Sequence, residues 1–158
     1  MIAPMAQHTA HIEWERESDD FSYQGYTRDH TWQFDNGLTV EASAAPGYLG
    51  NKDFIDPEEA FVASVASCHM LTFLAIASKR GLVIDRYIDD AVGVLEKNAD
   101  GAMAITRIEL RPVIEFAGDA PDAATLDEMH HKAHRHCFIA NSVRTHVEVR
   151  QASSVADQ

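Results

Sequence analysis

Hydrophobic and polar positions change their spacing several times along the chain, and each change marks an element. From His8 to Glu17, Ile12 and Trp14 alternate with polar neighbours, and Tyr23 to Phe34 repeats the style with Tyr26, Trp32 and Phe34, so both segments are expected as strands. Asn36-Gly37 predicts a tight hairpin turn, with Leu38 to Ala42 as the returning strand. A loop containing Pro46, Gly47 and Gly50 follows. After Gly81, Val83 to Lys97 reads as a strand, Asn98 to Gly101 as a turn, and Ala102 to Phe116 as its partner, with Arg107, Glu109 and Arg111 on a solvated face. Pro121 opens a polar second helix running to about Cys137, and Val143, Val147 and Val149 alternate with Arg144, His146 and Glu148 in a last strand. The tail from Gln151 is expected to fray.

The segment from Asp56 to Arg80 behaves differently. Asp56 is a good N-cap, Pro57 fits the first position, Glu58 and Glu59 sit at the positive end of the dipole, and Lys79, Arg80 and Gly81 close the helix. Between Ala60 and Ala77 there is no charged residue, and apolar positions go all the way round, so the helix should be buried on most sides. Its length borders on that of a membrane span. Ser64, Ser67, His69 and Thr72 within it, and the half-buried strands around it, favour a buried helix over a span. The order of three strands, long helix, two strands, short helix and strand gives an α+β architecture, with antiparallel hairpins around a central buried helix.

Composition narrows the function. A chain of 158 residues, 46% hydrophobic, is expected to form one domain, over residues 1–158 with a core from about 12 to 150. The formal charge of −12 and the absence of a basic run argue against nucleic-acid or anionic-membrane partners. The N-terminal MIAPMAQHTA lacks the features of a secretory signal, which points to the cytoplasm, where cysteines stay reduced unless redox is their task. The two cysteines, Cys68 and Cys137, are then two buried thiols, a redox pair, or members of a metal site.

The segments PEEAFVASVASCHM and, some seventy residues on, HHKAHRHCFIANSV resemble the OsmC/Ohr family of small thiol-dependent peroxidases, which reduce organic hydroperoxides and hydrogen peroxide. The resemblance spans roughly Glu13 to Val149. It implies an α+β homodimer in which two long helices, one per subunit, cross beneath wrapping sheets. It also implies that Cys68 is the peroxidatic thiol, Cys137 the resolving thiol, Glu58 the acid of the helix start and Arg28 the activating arginine. Arg16 is a second candidate, because Arg28 stands in the strand-like YTRDH and not in the Gly-rich loop common in the family. His69 after Cys68, and Phe138 where better-known branches carry a proline, mark a divergent branch. The Cys68 sulfenic acid would condense with Cys137 to a disulfide, and an external dithiol, commonly of the lipoyl type in this family, would reduce it. No motif for a flavin, nicotinamide or haem cofactor is present.

Elementary chemistry sets what the site must supply. A thiol with a pKa of about 8.5 is only a few per cent thiolate at neutral pH, and the thiolate is the nucleophile. Lowering that pKa to about 6 requires roughly 3.4 kcal/mol of extra stabilisation of the charged form. Cys68 lies about 16 Å from the helix start, too far for the dipole to act, so a cation has to come to it. Glu58 and Cys68 are about 15 Å apart on one straight helix, too far to share one guanidinium. The expectation is therefore a site shared between two subunits, with the small residues Ala63, Ser64, Ala66 and Ser67 allowing the helices to cross closely.

Two rival readings remain. His130, His134 and Cys137 fall at i, i+4 and i+7, with His131 or His136 as a further donor, which is plausible spacing for a transition-metal site. A redox-sensing module would oxidise the same cysteine pair without turnover. His69 is expected as a core histidine with a backbone partner.

Overall fold

The computed structural model describes residues 5–150, so the expected frayed tail lies outside the described residues. The chain divides into two compact units, one up to Ala60 and one from Phe61.

In the first unit, β1 (His11–Glu13), β2 (His30–Gln33) and β3 (Thr39–Ala42) form an antiparallel sheet in the order β1-β2-β3. The hairpin at Asn36-Gly37 forms as expected: Gly37 has φ 84°, the Phe34 and Leu38 backbones pair, and the Asn36 side chain accepts from the Leu38 N–H. The first two strands are shorter than their alternation suggests. The residues between them make a local fold instead, in which the Gly25 and Tyr26 N–H groups donate to the Ser22 carbonyl. Trp14, Phe21 and Tyr26 cluster with ring centroids 5.1 to 6.2 Å apart, and the Trp14 indole donates to the Thr27 carbonyl. Aromatic alternation here records a packed loop, not a ladder. The loop after β3 is held by the buried Ser43, whose hydroxyl accepts from Asn51 and whose N–H donates to Ile55. Gly50 passes so close to the Ala44 carbonyl that a β-carbon would lie 1.5 Å from its oxygen.

Helix α1 (Pro57–Lys79) begins in the first unit and continues through the second. Its start is a reciprocal capping box: the Asp56 carboxylate accepts from the Glu59 N–H at 2.8 Å, and the Glu59 carboxylate accepts from the Asp56 N–H at 3.2 Å. Gly81 takes φ 73° at the far end, as the stop signal predicted.

The second unit carries β4 (Ile84–Asp89), β5 (Val92–Lys97), β6 (Met103–Leu110), β7 (Pro112–Phe116), α2 (Ala123–His136) and β8 (His146–Val149). Each of the two long strands expected here is broken. β4 pairs with β7 in one sheet, and β5, β6 and β8 form another. At the break the Asp89 carboxylate takes the Arg111 N–H at 2.7 Å, and Pro112, with no N–H of its own, begins the new strand. β8 pairs with β6 in parallel, because α2 carries the chain across, so not every strand neighbour is an antiparallel hairpin. On β6 Arg107 is exposed as expected, yet Glu109 is buried between Arg111 Nε at 2.5 Å and Arg150 Nε at 3.1 Å. The second helix starts at an Asp122 N-cap, which accepts from Thr125 N–H at 2.7 Å, with Pro121 standing just outside.

Two apolar clusters hold this unit, and α1 contributes to both. Val65 packs with Ile108, Leu110 and Val147, whereas Phe73, Ile76 and Ala77 pack with Met129 and Ala133 of α2. By length and composition α1 would also cross a membrane, but this face is packed into protein. The expectation of burial on most sides does not hold within one chain: Ala63, Ser64, Ser67, Leu71, Ala75 and Ser78 form an exposed stripe at helical spacing. The fold class is α+β, as the pattern of elements predicted.

Candidate active site

Cys68 sits in the middle of α1, and Cys137 is the C-cap of α2. Packing of the two helices through Phe73, Ile76, Met129 and Ala133 sets their thiols close enough for Cys68 to act on the ionisation of Cys137, both reduced. The two sulfurs differ in setting. Cys68 is half-buried, while Cys137 is fully buried. Burial, reinforced by the neighbouring Cys68 thiol, pushes the Cys137 thiol up to about 11, and the Ala140 N–H donating to its sulfur at 3.4 Å opposes this only in part. At neutral pH, Cys137 therefore holds its proton while its neighbour faces an opening.

That opening is a cleft of about 720 Å³. Cys68, Leu71, Ala75 and Ile76 of α1 form one wall, and Phe138, exposed beyond the end of α2, forms part of the other. Thr72, Lys79, Arg80, Lys132 and His136 complete the lining. A mainly apolar cleft thus holds a thiol and several basic groups.

His69, next in sequence, turns away from the cleft. It is buried, and its partner is not the backbone, as expected, but a second buried histidine: Nε2 lies 3.0 Å from His130 Nδ1, with the rings stacked at 5.3 Å. Phe73 stacks on His130 with ring centroids 4.4 Å apart. Burial first, and then mutual proximity, holds His69 down to about 4; burial likewise holds His130 at about 4, so both rings are neutral near pH 7. The His130, His134 and Cys137 grouping of the rival metal reading does not assemble. Cys137 faces Cys68, His130 is turned to His69, and among the described residues no three His, Cys, Asp or Glu side chains converge to hold a metal ion.

The other residues singled out in the sequence belong to the first unit. Arg28 is held by local contacts: Nη1 donates to the Tyr26 carbonyl at 2.5 Å, Nη2 donates to the Tyr23 carbonyl, and the guanidinium lies 3.8 Å from the Tyr26 ring centroid and 5.0 Å from that of Tyr23. Arg16 instead donates to the Ser18 carbonyl and pairs with Asp19 at an exposed site. Glu58 is half-buried in the first turn of α1, beside the capping box that Glu59 closes. Sequence reasoning missed the basic end of the cleft, having read Lys79 only as a partner of the helix dipole. The signal was present, since Cys68, Thr72, Ala75 and Lys79 repeat at helical spacing on one face.

Comparison with known proteins adds to this geometry. The family model described as OsmC-like protein matches residues 50–151. The solved structure of an OsmC-like protein of unknown function from Vibrio cholerae shares 45% sequence identity, covers 94% of this chain and 100% of its own, and superposes with a TM-score of 0.90. Organic hydroperoxide resistance proteins from Elizabethkingia anophelis (20% identity, TM-score 0.71, 95% of this chain and 96% of that one) and Bacillus subtilis (18%, 0.65, 92% and 96%) share the fold. Among curated proteins none matches. The stretch that carries both cysteines lies inside the matched region, and the chain belongs to the OsmC-like family.

Proposed function

We propose that this protein is a thiol-dependent peroxidase that reduces organic hydroperoxides, with hydrogen peroxide as a smaller substrate. The observation that carries the reading is the asymmetric thiol pair, with Cys68 at the cleft and Cys137 buried beside it. The Cys68 thiolate attacks the terminal oxygen of the hydroperoxide: an S–O bond forms, the O–O bond breaks, and the departing alkoxide takes a proton and leaves as the alcohol. Cys68 is oxidised to a sulfenic acid as the peroxide is reduced. Cys137 then attacks the Cys68 sulfur; the S–S bond forms, the S–O bond breaks, and water leaves with the Cys137 proton. An external dithiol returns two electrons by exchange through a mixed disulfide. The high thiol pKa of Cys137 suits this order, because it discourages direct attack on peroxide by the buried sulfur.

The apolar walls of the cleft favour an organic peroxide over hydrogen peroxide. The small residues Ala63, Ser64 and Ser67 exposed on α1 suit a homodimer in which two such helices cross, with Arg28 and Glu58 of one subunit serving Cys68 of the other. The names of the organic hydroperoxide resistance proteins that share the fold point the same way.

The test is to treat the reduced protein with one equivalent of cumene hydroperoxide, count free thiols and map the disulfide by mass spectrometry. Loss of both thiols, with Cys68 joined to Cys137 and turnover once excess dithiol is added, supports the peroxidase. Oxidation without turnover points to a redox sensor, and thiols that persist in excess peroxide rule out both readings. Mixed dimers of a Cys68→Ser chain with a Glu58→Ala chain keep one working site if the site is shared, and none if it lies within one chain.

A further inference from the structure

Reduction of a hydroperoxide at Cys68 leaves one proton without a source, the one that the departing alkoxide takes. Few groups at the cleft can give it. Among the described residues no carboxylate lines the opening, and the Thr72 hydroxyl already donates to the Cys68 carbonyl at 2.8 Å. Arg80 donates to the Glu128 carboxylate at 2.8 and 3.3 Å, and the same carboxylate feels the charge of Lys132. Guanidinium and ammonium groups ordinarily keep their protons well above neutral pH, so Lys79, Arg80 and Lys132 are ill suited to release one in each cycle. An imidazole is suited, because its ordinary titration range lies between about pH 5 and 8. His136 is the one imidazole in the lining of this cleft.

Its place in the chain supports that use. The histidines of α2 are divided among different surroundings. His130 is bonded to His69, His131 pairs with Asp127 at 3.2 Å, and His134 buries its Nδ1. His136 instead stands exposed in the last turn of α2, at the opening that Cys68 also lines. The ion pairs of histidine among the described residues belong to His11, His131 and His146, so no carboxylate holds the His136 ring away from the cleft. Cys137 follows it directly and, buried beside Cys68, fixes this end of α2 at the reactive thiol. We propose that His136 is a catalytic residue that protonates the leaving oxygen of the hydroperoxide. As the Cys68 thiolate forms the S–O bond, the hydroxyl hydrogen stays on the oxygen transferred to sulfur. The O–O bond breaks, and its electron pair leaves on the organic oxygen, which takes the proton of the His136 imidazolium. The products are the alcohol and a Cys68 sulfenic acid, and the neutral imidazole regains its proton from water at the open side of the cleft. The inference rests on the peroxidase reading and adds to it the proton donor.

The test varies the leaving group. Cumene hydroperoxide releases an alkoxide, which needs a proton as it departs, whereas 3-chloroperbenzoic acid, an aromatic oxidant of similar size, releases a carboxylate, which does not. Second-order rates of Cys68 oxidation are measured with both in mildly acidic buffer, where the peracid is uncharged, for the wild type, His136→Gln and His136→Asn. Loss of a general acid is expected to slow the reaction with cumene hydroperoxide by about a hundredfold, and that with the peracid by about threefold at most. The substituted side chain is exposed, and circular dichroism with a thermal melt checks that both variants fold. Equal slowing with the two oxidants would assign His136 to the shape of the cleft alone and overturns the proposal. So does a rate with cumene hydroperoxide that is unchanged in both variants. Failure of the peroxidase reading looks different: the wild-type protein would react with cumene hydroperoxide no faster than glutathione does.

Discussion

Cys68 and His69 are consecutive residues on one helix, and they lie in opposite kinds of surroundings. Cys68 is half-buried at an open cleft whose lining includes basic groups, while His69 is buried with its ring paired to the buried His130. A rotation of about 100° per residue is enough to separate a reactive face from a structural one. Polarity that solvent and substrate can reach is available for chemistry. Polarity closed off behind an aromatic stack holds two helices in register, and here those are the helices that bear the two thiols. If this contrast holds, substitutions on the two faces fail in different ways.

The largest effect is expected for Cys68→Ser. Peroxide consumption should fall by about a thousandfold or more, because Cys68 is the one thiol in the lining of the cleft, while the melting temperature stays within a few degrees of the wild type. Cys137→Ser should instead retain a first oxidation, and its Cys68 sulfenic acid should be trapped by dimedone and seen as an adduct mass. A Cys68→Ser protein that still turned over peroxide would remove the basis of the contrast.

The opposite outcome is expected on the sealed face. His130→Ala leaves His69 Nε2 without its partner and opens a void against Phe73, a combination that costs about 2–4 kcal/mol. Urea unfolding should show the loss, while the fraction that remains folded in the cold oxidises at close to the wild-type rate. A stable His130→Ala protein with poor activity would instead place the histidine pair in the chemistry.

The same pair predicts a pH dependence with a definite sign. Both imidazoles titrate near 4 in the folded chain and near 6.5 when unfolded, so between those values the unfolded state binds more protons. Their contribution to stability is complete above about pH 6.5 and is lost as the pH falls towards 4, on the order of a few kcal/mol for the two together. Melting temperatures taken between pH 7.5 and 4.5 should fall steeply for the wild type and less for His69→Gln. Equal slopes in the two proteins would assign the acid sensitivity to other groups.

How much of this was legible in the sequence follows the range of the interactions. The capped helix, the Asn36-Gly37 and Asn98 to Gly101 turns and the α+β order all rest on contacts a few residues apart, and they appear as read. The breaks at Asp90 and Arg111, the parallel β6–β8 pair and the partner of His69 depend on residues 22 to 61 positions away, which no local pattern encodes. The aromatic alternation from Trp14 to Tyr26 misled for the same reason, since a loop cluster and a strand face demand the same residue types. Of the candidate site, the two cysteines were visible through a family resemblance and the lysines were not. Lys79 matters only because α2 brings Lys132 to the same opening.

The smallest effect is expected where the two faces share one support. Asp56 and Glu59 cap α1 reciprocally, and this contact lies ahead of both Cys68 and His69 on the same helix without facing either of their surroundings. Asp56→Ala removes one acceptor for a free backbone N–H and should cost about 1 kcal/mol, a fall of roughly 2–4 °C in melting temperature for a chain of this size. Glu59→Ala should cost less, since the Asp56 N–H that it satisfies can turn to water. Neither change should alter the preference for one peroxide over another, nor the slope of stability against pH, because the cap contributes to the helix as a whole. A shift in either readout from a cap variant would mean that the two faces of α1 are coupled through its first turn, and the separation drawn between Cys68 and His69 would have to be given up.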